Sequence, residues 1–374
     1  MRILVAPTAF KGSLSPLEVA RAMAEGIADF STKTSKKVFV SLLPIADGGD
    51  GTVDSLALSC GGTVHELAVS GACSEQRTAK WLELNDSAVV ELASACGIAG
   101  LKQLKPLEAH TRGLGYVIKH VIDTTELKEI IVALGGSAST DGGSGALYEL
   151  GAKFYDEYNN ELVPAGGGIL EKISGCNLSE ARRLTSGRRL VLVTDVLNPL
   201  LGRNGATSIF GPQKGAGDRE LQILESGLSR FAEIMEDECG GVRIRDRKGA
   251  GAAGGTAFGL AAGLGAPILS GFDWLSQLLK LPEKVAQSDL VISGEGRIDN
   301  SSLHGKVIGS LYELCKQNNK PLWLVAGSIS ENLTVNKLDL AMVAGLSMPN
   351  SNRLAGIEDI RQFIFDSLCK KSEN

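Results

Sequence analysis

Aromatic side chains are scarce in this chain of 374 residues, at 5% of the total. Proteins that bind single-stranded nucleic acids stack the bases on aromatic rings, and this chain has little material for such a platform. Its formal net charge is −5, and its basic clusters, such as residues 243–248, are short and interrupted. A continuous basic stripe for a phosphate backbone is therefore missing. We expect small-molecule substrates and no nucleic-acid partner.

Cysteine pairs with metal-binding or redox spacing are also missing. The seven cysteines include no CxxC pair, and the four histidines lie far apart along the chain. This spacing indicates no zinc site. An odd number of scattered cysteines suits a reducing compartment better than a disulfide framework, so we predict a cytoplasmic protein.

No segment has the composition of a membrane span. Residues 249–272 carry no charge, but Gly and Ala dominate them and Pro267 lies inside, so the segment is too weakly apolar to insert. The pattern of a buried strand at residues 1–6 stops at Pro7 and is too short for the core of a signal peptide. We expect no membrane partner.

The common nucleotide-binding signatures are absent or incomplete. The chain has no GxxxxGK[ST], and the HRD and DFG motifs of protein kinases do not occur. Residues 249–254 match GxGxxG, the dinucleotide fingerprint, which needs a buried strand before the glycines. The preceding residues 243–248 are nearly all charged. An NAD(P)-dependent hydroxy-acid dehydrogenase is therefore a weaker alternative, and a non-catalytic anion-binding protein is another.

A glycine-rich loop is the most informative feature that the chain does have. Residues 134–145 read LGGSASTDGGSG and follow the strand-like run 130–133. Without Cβ atoms, Gly135 and Gly136 let backbone amides converge on a phosphate, and Ser137 adds a hydroxyl donor. Asp141 supplies a carboxylate for a metal. The alternative interpretation is a tight turn that packs a helix closely on a sheet.

Glycine and acidic residues recur together after other strand-like runs. Residues 47–52 read DGGDGT and residues 294–299 read GEGRID. We expect both to be loops at carboxyl ends of strands, where open α/β sheets bind ligands. Asp195 and Asn198 follow the apolar run 190–193 in the same way. The alternative for Asp195 is a backbone contact within an ordinary turn.

The pattern of elements predicts two α/β domains. A strand at residues 2–6 precedes a helix with Ser15 as N-cap, Pro16 at the first position and Glu18 completing a capping box. Short strands across residues 64–91 indicate a mixed sheet, and alternation of strand and helix resumes after residue 289. We predict that residues 1–65 and 285–374 form one parallel-sheet domain. Residues 66–284 form an inserted α/β domain, and the active site lies in the cleft between the two.

Seven ordered segments of the chain resemble the bacterial glycerate kinase type I family over essentially its whole length. They contain Ala6-Pro7 with Phe10 to Leu14, Ala46 to Gly49, Leu134 to Ala138 with Asp141 to Gly143, Asp195-Val196 with Asn198 to Leu200, Phe210 to Ala216, Gly249 to Gly255, and Gly294 to Arg297. The resemblance implies a flavodoxin-like domain interrupted by a second α/β domain. It also implies ATP- and Mg²⁺-dependent phosphorylation of D-glycerate to 2-phosphoglycerate, with the 3-phosphate as the alternative product. The sequence is compatible with a homo-oligomer.

The chain departs from the family pattern at several positions. That pattern commonly has Asp-Ser at Thr8-Ala9, Glu at Asp50, Glu at Tyr116, Asn at Thr140 and Gln near Ser301. Thr8 replaces a carboxylate beside Lys11, which bears on metal or substrate binding. Asp50 keeps the charge on a shorter side chain.

Phosphoryl transfer requires positioning and charge neutralisation, and the candidate residues divide accordingly. For the phosphates of ATP we assign Gly135, Gly136, Ser137, Gly142, Gly143, Lys214, Gly251 and Gly254. For catalysis we assign Asp195, Asp47 and Lys11, and for Mg²⁺ we assign Asp47, Asp141 and Asp195. For glycerate we assign Ser13, Arg297, Asn198 and Glu295. A guanidinium grips a carboxylate through two parallel hydrogen bonds, although Arg297 could instead pair with Glu295 or Asp299, and Lys214 could instead face solvent.

Overall fold

A computed structural model describes residues 1–10, 13–45, 48–299, 302, 307–330, 341–346 and 355–373. The strands in these ranges are β1 (Arg2–Val5), β2 (Phe39–Leu42), β3 (Thr63–Ser70), β4 (Gln76–Leu84), β5 (Ser87–Glu91), β6 (Glu129–Ala133), β7 (Lys153–Tyr155), β8 (Glu161–Leu162), β9 (Gly175–Asn177), β10 (Arg189–Thr194), β11 (Ile268–Ser270), β12 (Leu290–Ile298), β13 (Leu322–Ile329) and β14 (Ala341–Gly345). The α-helices are α1 (Pro16–Thr34), α2 (Thr52–Cys60), α3 (Leu92–Cys96), α4 (Arg112–Thr124), α5 (Ser144–Glu149), α6 (Ser179–Thr185), α7 (Ala206–Phe210), α8 (Asp218–Glu238), α9 (Ala252–Leu264), α10 (Gly271–Leu278), α11 (Leu281–Gln287), α12 (Val307–Gln317) and α13 (Ile357–Glu373). Within the same described ranges, 3-10 helices span Gly167–Lys172 and Pro212–Lys214.

Both ends of the chain contribute to a five-stranded parallel sheet. Its strand order is β2-β1-β12-β13-β14, and every neighbouring pair is parallel. Renumbered along the chain, this order is 2-1-3-4-5, which is that of flavodoxin-like folds. The predicted parallel α/β sheet built from both chain ends is thereby confirmed.

The second large sheet is mixed, as the run of short strands predicted. Its order is β11-β10-β6-β5-β4-β3. The pairs β5–β6, β6–β10 and β10–β11 are parallel, whereas the pairs β3–β4 and β4–β5 are antiparallel. A small antiparallel sheet adds β8, β7 and β9.

Contacts divide the chain into two compact units. Unit 1 comprises Met1–Asp47, Asp54–Gly61 and Phe272–Asn374, and unit 2 comprises Gly48–Val53 and Gly62–Gly271. The division at residues 65 and 285 stays a prediction from the sequence. Helix α11 contacts β1 and α12, which explains why unit 1 resumes before residue 285.

Local signals in unit 1 explain how its helices form. The backbone N–H of Ser15 donates to Glu18 Oε2 at 2.8 Å, and Ser15 Oγ accepts from the Glu18 amide at 3.3 Å, which confirms the capping box. The apolar face of α1 packs on α13 and on the sheet, with Met23 and Ile27 fully buried. Arg361 on α13 binds both carboxylate oxygens of Asp29 on α1, at 2.7 and 3.2 Å.

The core of unit 2 is largely aliphatic. Three of its aromatic side chains lie together: the ring centroids of Phe154 and Phe231 lie 5.8 Å apart, and those of Phe231 and Phe258 lie 6.3 Å apart. Among the described residues, none of the helices combines the length and apolar character needed to cross a membrane.

Candidate active site

The carboxyl ends of the parallel strands in unit 2 carry most of the predicted site residues. Ala133 on β6 lies opposite Glu91 on β5 and Val193 on β10. The glycine-rich loop at residues 134–143 and the side chain of Asp195 follow directly after these positions. Because these strands are parallel, Glu91, the glycine-rich loop and Asp195 all reach the same edge of the sheet, which is the ligand-binding edge in open α/β folds.

Two glycine-rich segments pack directly on each other at this edge. The amide of Gly142 donates to the carbonyl of Gly254 at 3.0 Å. Gly254 has φ +65°, and a Cβ there would collide with the carbonyl oxygen of Ser139. Only glycine tolerates this combination of left-handed backbone and close approach. The structure therefore brings the segment 249–255 onto the loop 134–145.

The loop after β10 joins the same cluster. The amide of Gly251 donates to the carbonyl of Asn198 at 3.0 Å, and that of Leu200 donates to Arg245 O at 2.9 Å. The side-chain amide of Asn198 donates to the carbonyl of Asn204 at 2.8 Å, so part of its hydrogen-bonding capacity is already used.

The glycines of the segment 249–255 do not follow a strand. The described residues 241–251 form turns, and Ala253, Gly254 and Gly255 all have positive φ values before α9 becomes regular. A dinucleotide fingerprint requires a strand immediately before its glycines. The dehydrogenase alternative therefore lacks its structural context here.

Asp141 is buried and surrounded by donors of the protein itself. One carboxylate oxygen accepts from the Thr111 amide at 2.8 Å, the Thr111 hydroxyl at 2.7 Å and the Gly145 amide at 3.2 Å, and the other accepts from the Gly143 amide at 3.2 Å. These bonds cap α5 and tie it to the start of α4. A carboxylate used in this way is better suited to fixing the loop than to binding a metal, which leaves the predicted metal role without geometric support.

Lys214 is buried and contacts the glycine-rich loop at residues 134–145. Its side chain is 4% exposed, and Nζ donates to the carbonyl of Ser139. Burial lowers the pKa of the ammonium group to about 8, while the nearby charge of Asp141 acts in the opposite direction. The structure thus excludes the solvent-facing alternative for this lysine.

Segment 48–53 lies on unit 2 beside the glycine-rich loop. A Cβ on Gly135 would come within 2.6 Å of the Gly49 amide nitrogen, and the Cβ position of Gly136 lies 3.8 Å from Asp50 Oδ2. The carboxylate of Glu91 accepts from the amides of Gly51 at 3.2 Å and Val53 at 2.9 Å.

Sequence reasoning missed Glu91. The signal was present, because a single carboxylate ends the apolar run 88–90 and is followed by Leu92. A buried carboxylate in such a position needs hydrogen-bond donors, so it indicates a structural or functional contact.

Asp195 is half-buried just past β10. Its carboxylate oxygens both lie 3.3 Å from the Cβ position of Gly271. In the turn that follows, the Val196 amide donates to the hydroxyl of Thr194 at 3.2 Å. The Val196 amide thus uses a neighbouring hydroxyl, and the carboxylate of Asp195 lies at the carboxyl edge of β11.

Unit 1 carries the remaining predicted residues, and here one expectation is wrong. Residues 294–298 were expected to be a loop, but β12 continues as a strand to Ile298. The backbone of this stretch is paired on one side with β13, and the Gly294 carbonyl accepts from the Thr8 amide at 2.9 Å on the other. Glu295 is half-buried opposite Ala326, and Arg297 is exposed opposite Ser328.

Three further predicted residues belong to the segments after β1 and β2. Ser13 is exposed, and its hydroxyl donates to the carbonyl of Phe10 at 3.1 Å. Lys11 and Asp47 lie outside the described residues. Within the described ranges, no group of three or more His, Cys, Asp or Glu side chains could hold a metal ion.

A flavodoxin-like sheet and a second sheet whose carboxyl edge carries glycine-rich turns define an α/β ligand-binding enzyme fold. The model of the glycerate kinase family matches residues 3–353. The glycerate 2-kinase of Escherichia coli (strain K12) is 35% identical over 378 residues, covering 100% of this chain and 97% of that protein. The glycerate kinase of Bacillus subtilis (strain 168) is 37% identical over 340 residues, covering 89% and 86%.

A solved structure agrees with these sequence relationships. A crystal structure of a protein proposed to be glycerate kinase 2 from Salmonella typhimurium LT2 matches with a TM-score of 0.81 and 33% identity, covering 100% of this chain and 98% of that one. The chain belongs to the glycerate kinase family, which makes it an enzyme of the phosphotransferase class. The resemblance of its seven segments is confirmed.

Proposed function

We propose that this enzyme transfers the γ-phosphoryl group of ATP to the 2-hydroxyl of D-glycerate, with Mg²⁺, in the cytoplasm. One observation carries the proposal: four segments, at residues 48–53, 134–145, 194–200 and 249–255, meet at the carboxyl edge of one sheet. The full-length relative named glycerate 2-kinase supports the choice of the 2-hydroxyl.

The phosphates of ATP would contact the turn at residues 135–137. The amides of Gly142, Gly143 and Gly251 already donate to protein acceptors. Those glycines, together with Gly254, would shape the loop rather than bind the phosphates themselves. Lys214 would contribute in the same indirect way, because its ammonium group is bound to a main-chain carbonyl.

Carboxylates would hold Mg²⁺ or accept the proton of the attacking hydroxyl during phosphoryl transfer. Mg²⁺, when bound with ATP, neutralises charge that develops on the phosphoryl group and prefers oxygen donors. Asp195 fits this chemistry best among the described carboxylates, since it is half-buried and lies at the edge where the loops meet. It would either hold the metal or accept the proton of the attacking hydroxyl, and Asp47 is proposed for the same two roles.

Recognition of glycerate would rest on side chains that match its carboxylate and hydroxyls. The exposed guanidinium of Arg297 is suited to a bidentate grip on the carboxylate. Lys11 would neutralise transferred charge, and Glu295, Asn198 and Ser13 would orient the hydroxyls.

A coupled assay of ADP formation tests the reaction class. We expect ADP formation that requires both D-glycerate and Mg²⁺. A change in NAD(P) absorbance with a hydroxy acid would instead support a dehydrogenase. ATP binding without turnover, under any of these conditions, would support a non-catalytic anion-binding protein.

A further inference from the structure

Glu91 is a buried carboxylate that the proposed mechanism does not use. It is the last residue of β5, lies opposite Ala133 of β6 and is 4% exposed. Its two carboxylate oxygens accept from two backbone amides of segment 48–53, those of Gly51 and Val53. A buried carboxylate is costly unless such donors satisfy it, so the contact is specific.

The segment held by Glu91 has an unusual position in the fold. Residues 48–53 belong to unit 2, whereas the residues on both sides of them belong to unit 1. The hydroxyl of Thr52 also donates to the Gly49 carbonyl at 2.7 Å, which keeps the turn compact. The carboxylate of Glu91 is thus one of the contacts that anchor this short segment on unit 2.

Segment 48–53 carries a carboxylate of its own, that of Asp50. Asp50 Oδ2 lies 3.8 Å from the Cβ position of Gly136, and the Gly49 amide nitrogen lies 2.6 Å from that of Gly135. Both glycines belong to the turn proposed above for the phosphates. Displacement of the segment by about 1 Å would move Asp50 relative to that turn, and shifts of that size can cost about 10²-fold in rate.

We infer that Glu91 is a positioning residue of the phosphoryl transfer: its carboxylate fixes segment 48–53, and with it Asp50, against the turn at residues 135–137. This inference rests on the proposed function for its effect on rate. The anchoring itself is a property of the folded chain and can be measured without activity.

The test compares E91A, E91Q, D50N and the double variant E91A/D50N with the wild type. R188M is the matched control, since the Arg188 guanidinium donates to the carbonyls of Ile122, Thr125 and Leu127 at 2.7–2.9 Å, at the amino end of β10. Hydrogen exchange of peptides covering residues 48–53 reports anchoring, and kcat with ATP and D-glycerate reports positioning.

We expect E91A to raise amide exchange in segment 48–53 and to lower kcat, each by about tenfold or more. E91Q keeps one acceptor oxygen and should fall between E91A and the wild type. The double variant should lose no more kcat than the worse single variant, because both changes act on one element. R188M should lower the melting temperature while kcat, measured well below it, stays at the wild-type value.

Unchanged exchange in E91A would overturn the anchoring. A wild-type kcat in D50N, additive losses in the double variant, or an equal loss of kcat in R188M would overturn the positioning role. If the wild-type enzyme forms no glycerate-dependent ADP, the proposed function fails, and the exchange measurement alone still decides whether Glu91 anchors the segment.

Discussion

The buried ammonium group of Lys214 makes the stability of unit 2 depend on pH in a specific direction. Its pKa is about 8 in the folded protein, against an ordinary value of 10.5, because burial disfavours the charged form. Below pH 8 the lysine is protonated in both folded and unfolded chains, and folding carries the full cost of burying the charge. Between about pH 8 and 10.5 the unfolded chain holds more protons, so stability rises with pH.

The difference between the two pKa values corresponds to about 3 kcal/mol over the whole window. K214M removes the titrating group while keeping an apolar chain of similar length. We expect the free energy of unfolding of the wild type, relative to K214M, to rise by about 2 kcal/mol between pH 7 and 9.5.

Urea unfolding can follow unit 2 alone. Trp81 is buried in the core of unit 2, whereas Trp274 and Trp323 belong to unit 1 and can be replaced by Phe in every variant compared. K172M, at an exposed position of the 3-10 helix Gly167–Lys172, is the control and should show no such rise. If the free energy of unfolding of the wild type relative to K214M stays constant or falls with rising pH, Lys214 does not titrate as a buried group.

Three further predictions concern single side chains. D195N should lower kcat by about 10² or more while the melting temperature stays near that of the wild type, and a near-normal kcat would remove Asp195 from the catalytic group. R297K should raise KM for D-glycerate with KM for ATP little changed, since lysine cannot form the bidentate grip, and an unchanged KM for glycerate would contradict that role. D141A should lower the free energy of unfolding of unit 2 by about 2–4 kcal/mol in urea titrations, because it leaves the buried donors of Thr111 and Gly143 unsatisfied, and a loss below about 0.5 kcal/mol would contradict its capping role.

Local signals made much of the fold predictable. The capping box at Ser15 and Glu18 depends on residues three positions apart, and the structure contains it. The runs 130–133 and 190–193 are short and apolar and each follows a charged residue, and they form inner strands of the mixed sheet as β6 and β10. Such features depend on neighbours in sequence, which a single chain displays directly.

Other features depend on partners far away along the chain. Gly294 to Ile298 reads as a loop because glycines interrupt it, yet β13 and Thr8 pair with its backbone and keep it a strand. The burial of Lys214 against Ser139 joins positions 75 residues apart. No local pattern reveals such a partner.

In the candidate site, too, features that depend on neighbouring residues were predictable, and features that depend on distant partners were not. Glycine-rich turns and the carboxylates beside them were visible in the sequence, but the task of each carboxylate was not. Asp141 and Asp195 both follow strands of one sheet. Only the structure distinguishes the carboxylate that accepts four hydrogen bonds, two from Thr111 and two from loop amides, from the one at the edge of β11. Glu91 was passed over because its donors lie 40 and 38 residues away.

Phosphorus NMR of the enzyme with MgATP and D-glycerate tests the central claim most directly. We expect the γ-phosphate signal of ATP to be replaced, mole for mole, by a phosphomonoester signal that appears as a doublet without proton decoupling, because phosphorus on the 2-oxygen couples to one carbon-bound hydrogen. A triplet would reveal 3-phosphoglycerate and contradict the assigned hydroxyl. An unchanged γ-phosphate signal would contradict phosphoryl transfer to glycerate altogether.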